Sequence, residues 1–257
     1  ELIQAIARAQ RIVVFTGAGV STDSGIPDYR GSGGQYSRFQ PVYYDEFLSD
    51  PAKRREYWLH KAGVWPAIRD AQPGLAHRFC VTLGTRQKLT GVITQNIDGL
   101  HEKAGLDSDR IVNLHGSNLQ IECVSCAHRM PASAVLDPMS EQFDELQRDA
   151  TVFSAPACER CGGWLKPATI MFGQSLRSVD LVRAESMLQS CDLFLVLGST
   201  LTVQPAASLP AIARDNGAEL AIVTRGSTPL DEIATYRIDG DIGTFVGEVY
   251  ERSGWGK

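Results

Sequence analysis

FTGAGVSTDSGIPDYRG, residues Phe15–Gly31, decides how the rest of the chain is read. It follows the apolar run Ile12-Val13-Val14-Phe15, so it opens as the loop after a buried strand. A dinucleotide fingerprint at that place would read G-x-G-x-x-G. Gly17 and Gly19 fit, Thr22 stands where the third glycine belongs, and the next glycine is Gly25. The stretch therefore keeps two glycines that let bare backbone approach a phosphate. It then sends a polar segment through Asp28, Tyr29 and Arg30 past the same point.

Outward from this loop, short apolar runs alternate with helical patterns. Strands are predicted at about 11–15, 91–94, 111–114, 193–197, 220–223 and 236–238, and helices at 76–83, 179–189, 205–216 and 242–252. A short amphipathic helix with Leu2, Ile3, Ile6 and Ala7 precedes the first strand. Such alternation argues for a parallel sheet covered on both faces. Two regions break the rhythm: 32–74, read as short helices and loops rich in aromatic residues, and 117–167, which holds four paired cysteines.

Those cysteines are Cys123 and Cys126 in CVSC, and Cys158 and Cys161 in CERC. Two C-x-x-C pairs can supply four thiolates to one tetrahedral ion, here a structural zinc with no open coordination position. A redox dithiol is the rival reading, but it needs only one pair. The gap between the pairs is longer than in a compact zinc ribbon, so the intervening segment must fold back as a loop or helix. Cys80 and Cys191 read as buried thiols. The fold class is α/β: a parallel Rossmann-like sheet with helices on both faces, plus a smaller zinc-binding and helical domain formed by two insertions. The expected large domain takes residues 1–31, 75–116 and 168–257; the insertions are 32–74 and 117–167.

The chain has 257 residues and a formal net charge of −5, with no basic block, so nucleic acid is not an expected partner. No apolar run approaches the roughly 18 residues of a membrane span, so no membrane partner is expected. The chain begins at Glu1 without a visible signal peptide. Cysteines spaced for metal fit a reducing compartment. The expected location is the cytoplasm, or the mitochondrion if a transit peptide has been removed.

Polar groups recur at the predicted carboxyl ends of the strands, where open α/β sheets bind ligands. They are Gly17-Ala18-Gly19, then Gln95, Asn96, Asp98 and His101 in QNIDGLH, then His115-Gly116, then Gly198-Ser199-Thr200. His115 is a candidate general base, because an imidazole titrates near neutrality. The alternative is a histidine merely satisfied at a strand end. Asn96 and Asp98 are candidates for ligand contact or, alternatively, turn caps. His77 reads as a helix-start residue, His60 and His128 have no partner pattern, and the aromatic residues between Tyr43 and Trp65 read as core.

Taken in order, GAGVSTDSGIPDYRG, TQNIDGLH, LHG, the two C-x-x-C pairs, LKPATIMFG and LGSTLTVQPA resemble the sirtuins, the NAD-dependent protein deacylases. The resemblance covers nearly the whole chain, and IPDYRG with REYWLHKAGVWP is most similar to class II. It implies an enzyme that consumes NAD as a co-substrate rather than returning it, with acyl-lysine proteins or peptides as partners. By that resemblance Gly17, Ala18, Gly19, Asp28, Tyr29, Arg30, Gln95, Asn96, Ile97, Asp98, Gly198, Ser199 and Thr224 bind the cofactor. His115 is then the catalytic base with Asn96 beside it, Met171, Phe172, Gly173 and Val203 flank the substrate peptide, and Zn2+ is structural. The implied reaction begins with attack of the acyl carbonyl oxygen on the ribose carbon as nicotinamide leaves. His115 then helps a ribose hydroxyl attack the resulting alkylimidate, and water releases lysine and O-acyl-ADP-ribose.

The sequence departs from the family pattern in two places. Thr224 stands where many sirtuins carry Asn, and Gln174 where an acidic residue is common. The Tyr and Arg pair that typifies family desuccinylases is absent from REYWLHK, so uncharged acyl groups are expected unless Arg54, Arg55, His60 or Lys61 turns inward. Three rivals remain open at this point: a zinc-containing dehydrogenase, a mono-ADP-ribosyltransferase on the same scaffold, and a silent NAD-binding module.

Overall fold

The structure, a computed structural model, describes residues 1–28 and 39–255. Tyr29 and Arg30, both named above, lie outside the described residues. α1 (Leu2–Arg8) leads into β1 (Ile12–Thr16), whose residues are all buried. α2 (Tyr44–Ser49) and α3 (Pro51–Asp70) follow. α4 (Leu75–Thr85), β2 (Leu89–Thr94), the single turn α5 (Leu100–Lys103) and β3 (Ile111–Asn113) come next. The cysteine region holds β4 (Gly116–Cys123), β5 (Arg129–Pro131), α6 (Ser133–Glu141), α7 (Phe143–Arg148) and β6 (Leu165–Thr169). α8 (Ser178–Leu188), β7 (Leu193–Leu197), α9 (Leu209–Asp215), β8 (Glu219–Thr224), β9 (Tyr236–Asp239) and α10 (Ile242–Ser253) complete the described chain.

The main sheet runs β3-β2-β1-β7-β8-β9, and every pairing is parallel. Successive side chains of a strand point to opposite faces, and β1 shows it. Ile12 and Val14 join the apolar cluster under α1, α4 and α10, with Phe79, Leu83, Val246 and Val249. Val13 and Phe15 join the cluster under α8 and α9, with Ala184, Leu188 and Leu209. Burial on both faces is why these strands read as continuous apolar runs rather than as alternation. The chain leaves β1 toward β2 and later returns on the other side at β7, so the strand order switches at β1. The carboxyl ends of β1 and β7 flank the crevice that such a switch creates.

Residues 44–70 differ from the expectation of short helices and loops. Only α2 is short, and α3 runs twenty residues. Asp50 caps α3 by accepting from the Ala52 amide, and Pro51 occupies its first turn, where a missing N–H costs nothing. Tyr57, Trp58, Lys61, Ala62, Trp65 and Ile68 recur at helical spacing, and all are buried. Of these, Tyr57, Trp58, Trp65 and Ile68 build a third apolar cluster with Phe47, Ile121, Leu136 and Leu165, which reaches Cys123 and Cys158. The reading of Phe47, Tyr57, Trp58 and Trp65 as core therefore holds, whereas Tyr43 is exposed.

The cysteine region also contains a second sheet, β5-β4-β6, which is antiparallel and which the sequence pattern did not announce. The segment between the cysteine pairs does fold back, through β5, α6 and α7. Gly116 pairs with Thr169 and Ser117 with Ala168. The expected boundaries at 116/117 and 167/168 thus cut across the first rungs of this sheet.

Candidate active site

Three glycines bring the ends of β1 and β7 into backbone contact. A Cβ on Gly17 would lie 2.6 Å from the Gly198 carbonyl oxygen, and one on Gly19 would lie 2.8 Å from Gly198 Cα. Gly198 has φ +66°, a left-handed conformation that favours glycine. The amides of Gly17 and Gly19 donate to the Leu197 and Gly198 carbonyls, each at 3.0 Å. These glycines are needed for the approach of two loops, whatever ligand also lies against them. After Gly17 the chain makes two short 3₁₀ turns, Ala18–Val20 and Thr22–Ser24, instead of entering a long helix. This is the structural counterpart of the displaced third glycine.

The strand ends surround a cavity of about 1080 Å³, beyond the roughly 300–1,000 Å³ usual for small-molecule pockets. Gly17, Ala18, Gly19 and Asp28 line it from the β1 side, Gln95, Asn96 and Ile97 from the end of β2, and His115 from beyond β3. Gly198, Ser199 and Val203 line it after β7, and Thr224 lines it at the end of β8. Met171, Phe172 and Gly173 face it from the segment after β6. Asp98 lies instead on a small second cavity of about 50 Å³. Ala18, Pro27, Asn96 and Ile97 line both cavities.

Among the described residues, one side-chain hydrogen bond fixes His115. Its Nδ1 lies 3.0 Å from the Gln95 carbonyl oxygen. A carbonyl only accepts, so Nδ1 carries the proton and Nε2 is left with the basic lone pair. Burial pushes the His115 pKa below the ordinary imidazole value, against a smaller upward pull from the Gln95 carbonyl. The ring is therefore neutral at pH 7, the state a general base requires.

A second chain of hydrogen bonds joins the β1 loop to the β2 end. Asn96 Nδ2 donates to the Gly17 carbonyl and to Ser21 Oγ, each at 3.1 Å. Ser21 Oγ donates in turn to Asp98 Oδ2 at 2.7 Å, and the Leu100 amide donates to Asp98 Oδ1 at 3.0 Å. Asp98 is thus both a turn cap and part of the site wall. Burial raises its pKa, while the contacts from Leu100 and Ser21 pull it down. Ser199 Oγ donates to Gln95 Oε1 at 2.7 Å, which ties the β7 end to the β2 end.

His101, grouped above with the polar strand ends, is turned away. Its Nε2 lies 3.0 Å from Thr16 Oγ1, its ring packs at 4.8 Å on that of His77, and it lines neither cavity. His77 accepts from the Gly74 amide at the start of α4, as a helix-start residue does.

One wall of the site is α3, where the sequence had left open that His60 or Lys61 turns inward. Tyr57, His60 and Lys61 on α3 line the large cavity, as do Val42, Thr169 and Ile170. The signal was present as helical spacing: 57, 60, 61, 64 and 68 share a face once the segment is one helix.

The sulfur ligand atoms of Cys123, Cys126, Cys158 and Cys161 all lie within 4.8 Å of one another. Cys123–Cys161 is 3.5 Å and Cys126–Cys158 is 3.7 Å, and none forms a disulfide. Four thiolates at Zn–S distances of about 2.3 Å in a tetrahedron sit about 3.8 Å apart, so the set fits Zn2+. Two of the cysteines are buried in the third apolar cluster and none lines the cavity, which suits a structural ion.

Comparison with known proteins places this geometry in a family. The chain matches the model of the Sir2 family over residues 17–205. It is 41% identical over 242 residues to an NAD-dependent protein deacetylase of Rhodopseudomonas palustris, covering 94% of this chain and 92% of that protein. It is 40% identical over 229 residues to an NAD-dependent protein deacetylase of Thermodesulfovibrio yellowstonii, covering 89% and 85%. A solved structure of Sir2 with a p53 peptide and NAD+ matches at TM-score 0.84 and 34% identity, covering 98% of this chain and 97% of that one. Sir2 bound to an acetylated peptide matches at TM-score 0.82 and 33% identity, covering 99% and 98%. The chain belongs to the Sir2 family.

Proposed function

We propose that this chain is an NAD-dependent protein lysine deacylase of the deacetylase type. It cleaves NAD to nicotinamide and transfers the acyl group of a substrate lysine to ADP-ribose. The observation that carries the reading is the His115–Gln95 contact on a cavity also walled by the Gly17–Gly19 and Gly198–Ser199 loops. The family's curated members and solved complexes support it.

NAD supplies an electrophilic ribose carbon with nicotinamide as its leaving group. Gly17, Ala18, Gly19, Gly198 and Ser199 receive the phosphates and the nearby sugar, and Thr224 lies toward the adenosine ribose. Asn96, which Gly17 and Ser21 hold in place, orients the other ribose. Ile97 and Asp98 hold the carboxamide from the small cavity, while Asp28, Tyr29 and Arg30 belong to the loop that covers the cofactor. Met171, Phe172, Gly173 and Val203 seat the peptide as an added strand. This alignment carries much of the rate, because an amide carbonyl is a weak nucleophile. His115 Nε2 then removes a proton from a ribose hydroxyl, and that oxygen attacks the acyl-derived carbon. Water completes the balance, giving free lysine and O-acyl-ADP-ribose.

The division into a large domain (1–31, 75–116, 168–257) and two insertions (32–74, 117–167), with NAD and peptide between them, belongs to the same reading, as does class II. Partners are acyl-lysine proteins rather than nucleic acid. No helix of the described residues is long and apolar enough to cross a membrane, and a cytoplasmic site of action rests on the four free, clustered thiols. Mass spectrometry after incubation with NAD and an acetyl-lysine peptide tests the reading. Free lysine, nicotinamide and O-acetyl-ADP-ribose support it; ADP-ribosylated protein, NADH or unchanged NAD overturns it.

A further inference from the structure

Gln174, one of the two places where the sequence departs from the family pattern, lines the cavity next to the segment assigned above to the peptide. The Ile170 amide donates to the His115 carbonyl at 2.8 Å, so the chain leaves β6 beside the residue that carries the imidazole. Residues 171–174 then close a tight turn. The Gln174 amide donates to the Met171 carbonyl at 3.0 Å, and Gly173 takes φ +82° at the third place, as a type II turn requires. The Tyr44 amide donates to the Phe172 carbonyl at 2.9 Å and ties the turn to the start of α2.

The Gln174 side chain locks this turn a second time. Its Oε1 accepts from the Met171 amide at 3.2 Å. A backbone N–H can be met only by the oxygen of a side-chain amide, so this contact fixes which way the group faces. Nε2 keeps both of its N–H donors, and among the described residues it has no hydrogen-bond partner. The residue is half-buried, so the donor is held on a wall rather than adrift in solvent. That wall is uncharged. Among the described residues, Asp28, His60, Lys61, His115, Arg225 and Asp241 bring ionisable groups to the cavity from the cofactor side or from α3. None of the lining residues in 171–176, at 181 or in 200–205 is charged. The next charges along the chain, Arg177 and Asp180, pair with each other at 2.6 Å. A positioned amide donor on such a wall is best met by a carboxylate, which only accepts. A lysine or arginine side chain carries only donors, so at the same place it would lose water and gain no hydrogen bond.

We propose that Gln174 is a specificity-determining residue for the protein segment around the acyl-lysine. Its Nε2 donates to an Asp or Glu side chain that flanks the lysine, so acidic segments are favoured over basic ones. The proposal rests on the deacylase reading above and deepens it from the acyl group to the segment that carries it. A glutamate at 174 would hold the same turn through the Met171 amide, yet it would present a carboxylate where glutamine presents a donor.

The test measures kcat/KM for one acetyl-lysine peptide in versions with Glu, Gln or Lys at each of the two residues on either side of the acetyl-lysine. The wild-type protein is expected to favour Glu over Lys by about tenfold at one of these positions, the scale of a hydrogen bond to a charged group. Gln174→Glu, which keeps the acceptor for Met171, should invert the preference at that same position. Gln174→Met, which removes the donor and adds no charge, should bring the Glu and Lys versions level. Each ratio is read within one variant, so a general loss of active protein cancels. Turnover by the wild-type protein with Glu and Lys equal, or with Lys preferred, overturns the proposal and leaves the deacylase reading standing. A Glu preference that survives both substitutions also overturns it. No turnover of any of the peptides overturns the deacylase reading and the proposal with it.

Discussion

The Nδ1 atom of His115 sits 3.0 Å from the carbonyl oxygen of Gln95, two residues brought together because β2 and β3 are adjacent parallel strands. Backbone, rather than a carboxylate side chain, sets the tautomer of this imidazole. Among the described residues, the basic nitrogen is thereby fixed without a neighbouring negative charge to raise its pKa.

The pH profile follows from that contact. Burial lowers the His115 pKa, and a base works only when neutral. The acid limb of kcat/KM is therefore expected below the ordinary imidazole value of about 6.5. His115→Ala should remove this limb and lower turnover by roughly 10²–10⁴-fold. Kinetics from pH 5 to 9 check it, and near-normal turnover in the variant refutes the assignment.

The buried pair His77 and His101 predicts acid sensitivity. Burial, then His77, pushes the His101 pKa down to about 3, and burial takes His77 to about 4. The folded protein thus binds fewer protons than the unfolded chain between about pH 6.5 and 3. The stabilisation is complete above that window and is lost as pH falls through it. It should amount to a few kcal/mol. Tm measured across this range should fall toward acid, and His101→Gln, which keeps a donor for Thr16, should flatten the slope. A slope that does not change in the variant rejects this origin.

Backbone contact between the β1 and β7 loops predicts that glycine is required at both. Gly198→Ala places a methyl 2.8 Å from Gly19 backbone in a left-handed conformation. Gly17→Ala places one 2.6 Å from the Gly198 oxygen. Each should cost roughly 1–3 kcal/mol in denaturant unfolding and weaken NAD binding in titration calorimetry. A Gly198→Ala protein of wild-type stability and affinity would contradict the close approach.

Much of this was legible in the sequence because chemistry and periodicity coincide there. β7 runs from Leu193 to Leu197 as expected, and β1 differs by one residue at each end, since continuous apolar runs mark strands buried on both faces. The site followed from the strand ends. The α3 wall was only partly legible: which of Arg54, Arg55, His60 and Lys61 turn inward shows once Tyr57, Trp58, Trp65 and Ile68 are seen on one helix. β4 and β6 were missed for a related reason: GSNLQIEC and LKPAT mix polar and apolar residues, and their pairing is set by contacts some fifty residues apart.

The cysteine cluster predicts coupling of metal to fold. Cys123→Ala should release zinc and unfold the region around β4 and α6, because ligation and local folding are linked. Metal analysis together with hydrogen exchange in 116–169 checks it. A metal-free variant with full activity and unchanged protection would overturn a structural role.

The most direct test of the whole account counts products. Nicotinamide, deacylated peptide and O-acetyl-ADP-ribose are quantified per NAD consumed, in the wild-type protein and in His115→Ala. The account predicts equal amounts of all three from the wild-type protein, and none of the three products accumulating at a comparable rate in the variant. Undiminished O-acetyl-ADP-ribose formation by His115→Ala, or NAD consumption without acyl transfer in the wild-type protein, would contradict it.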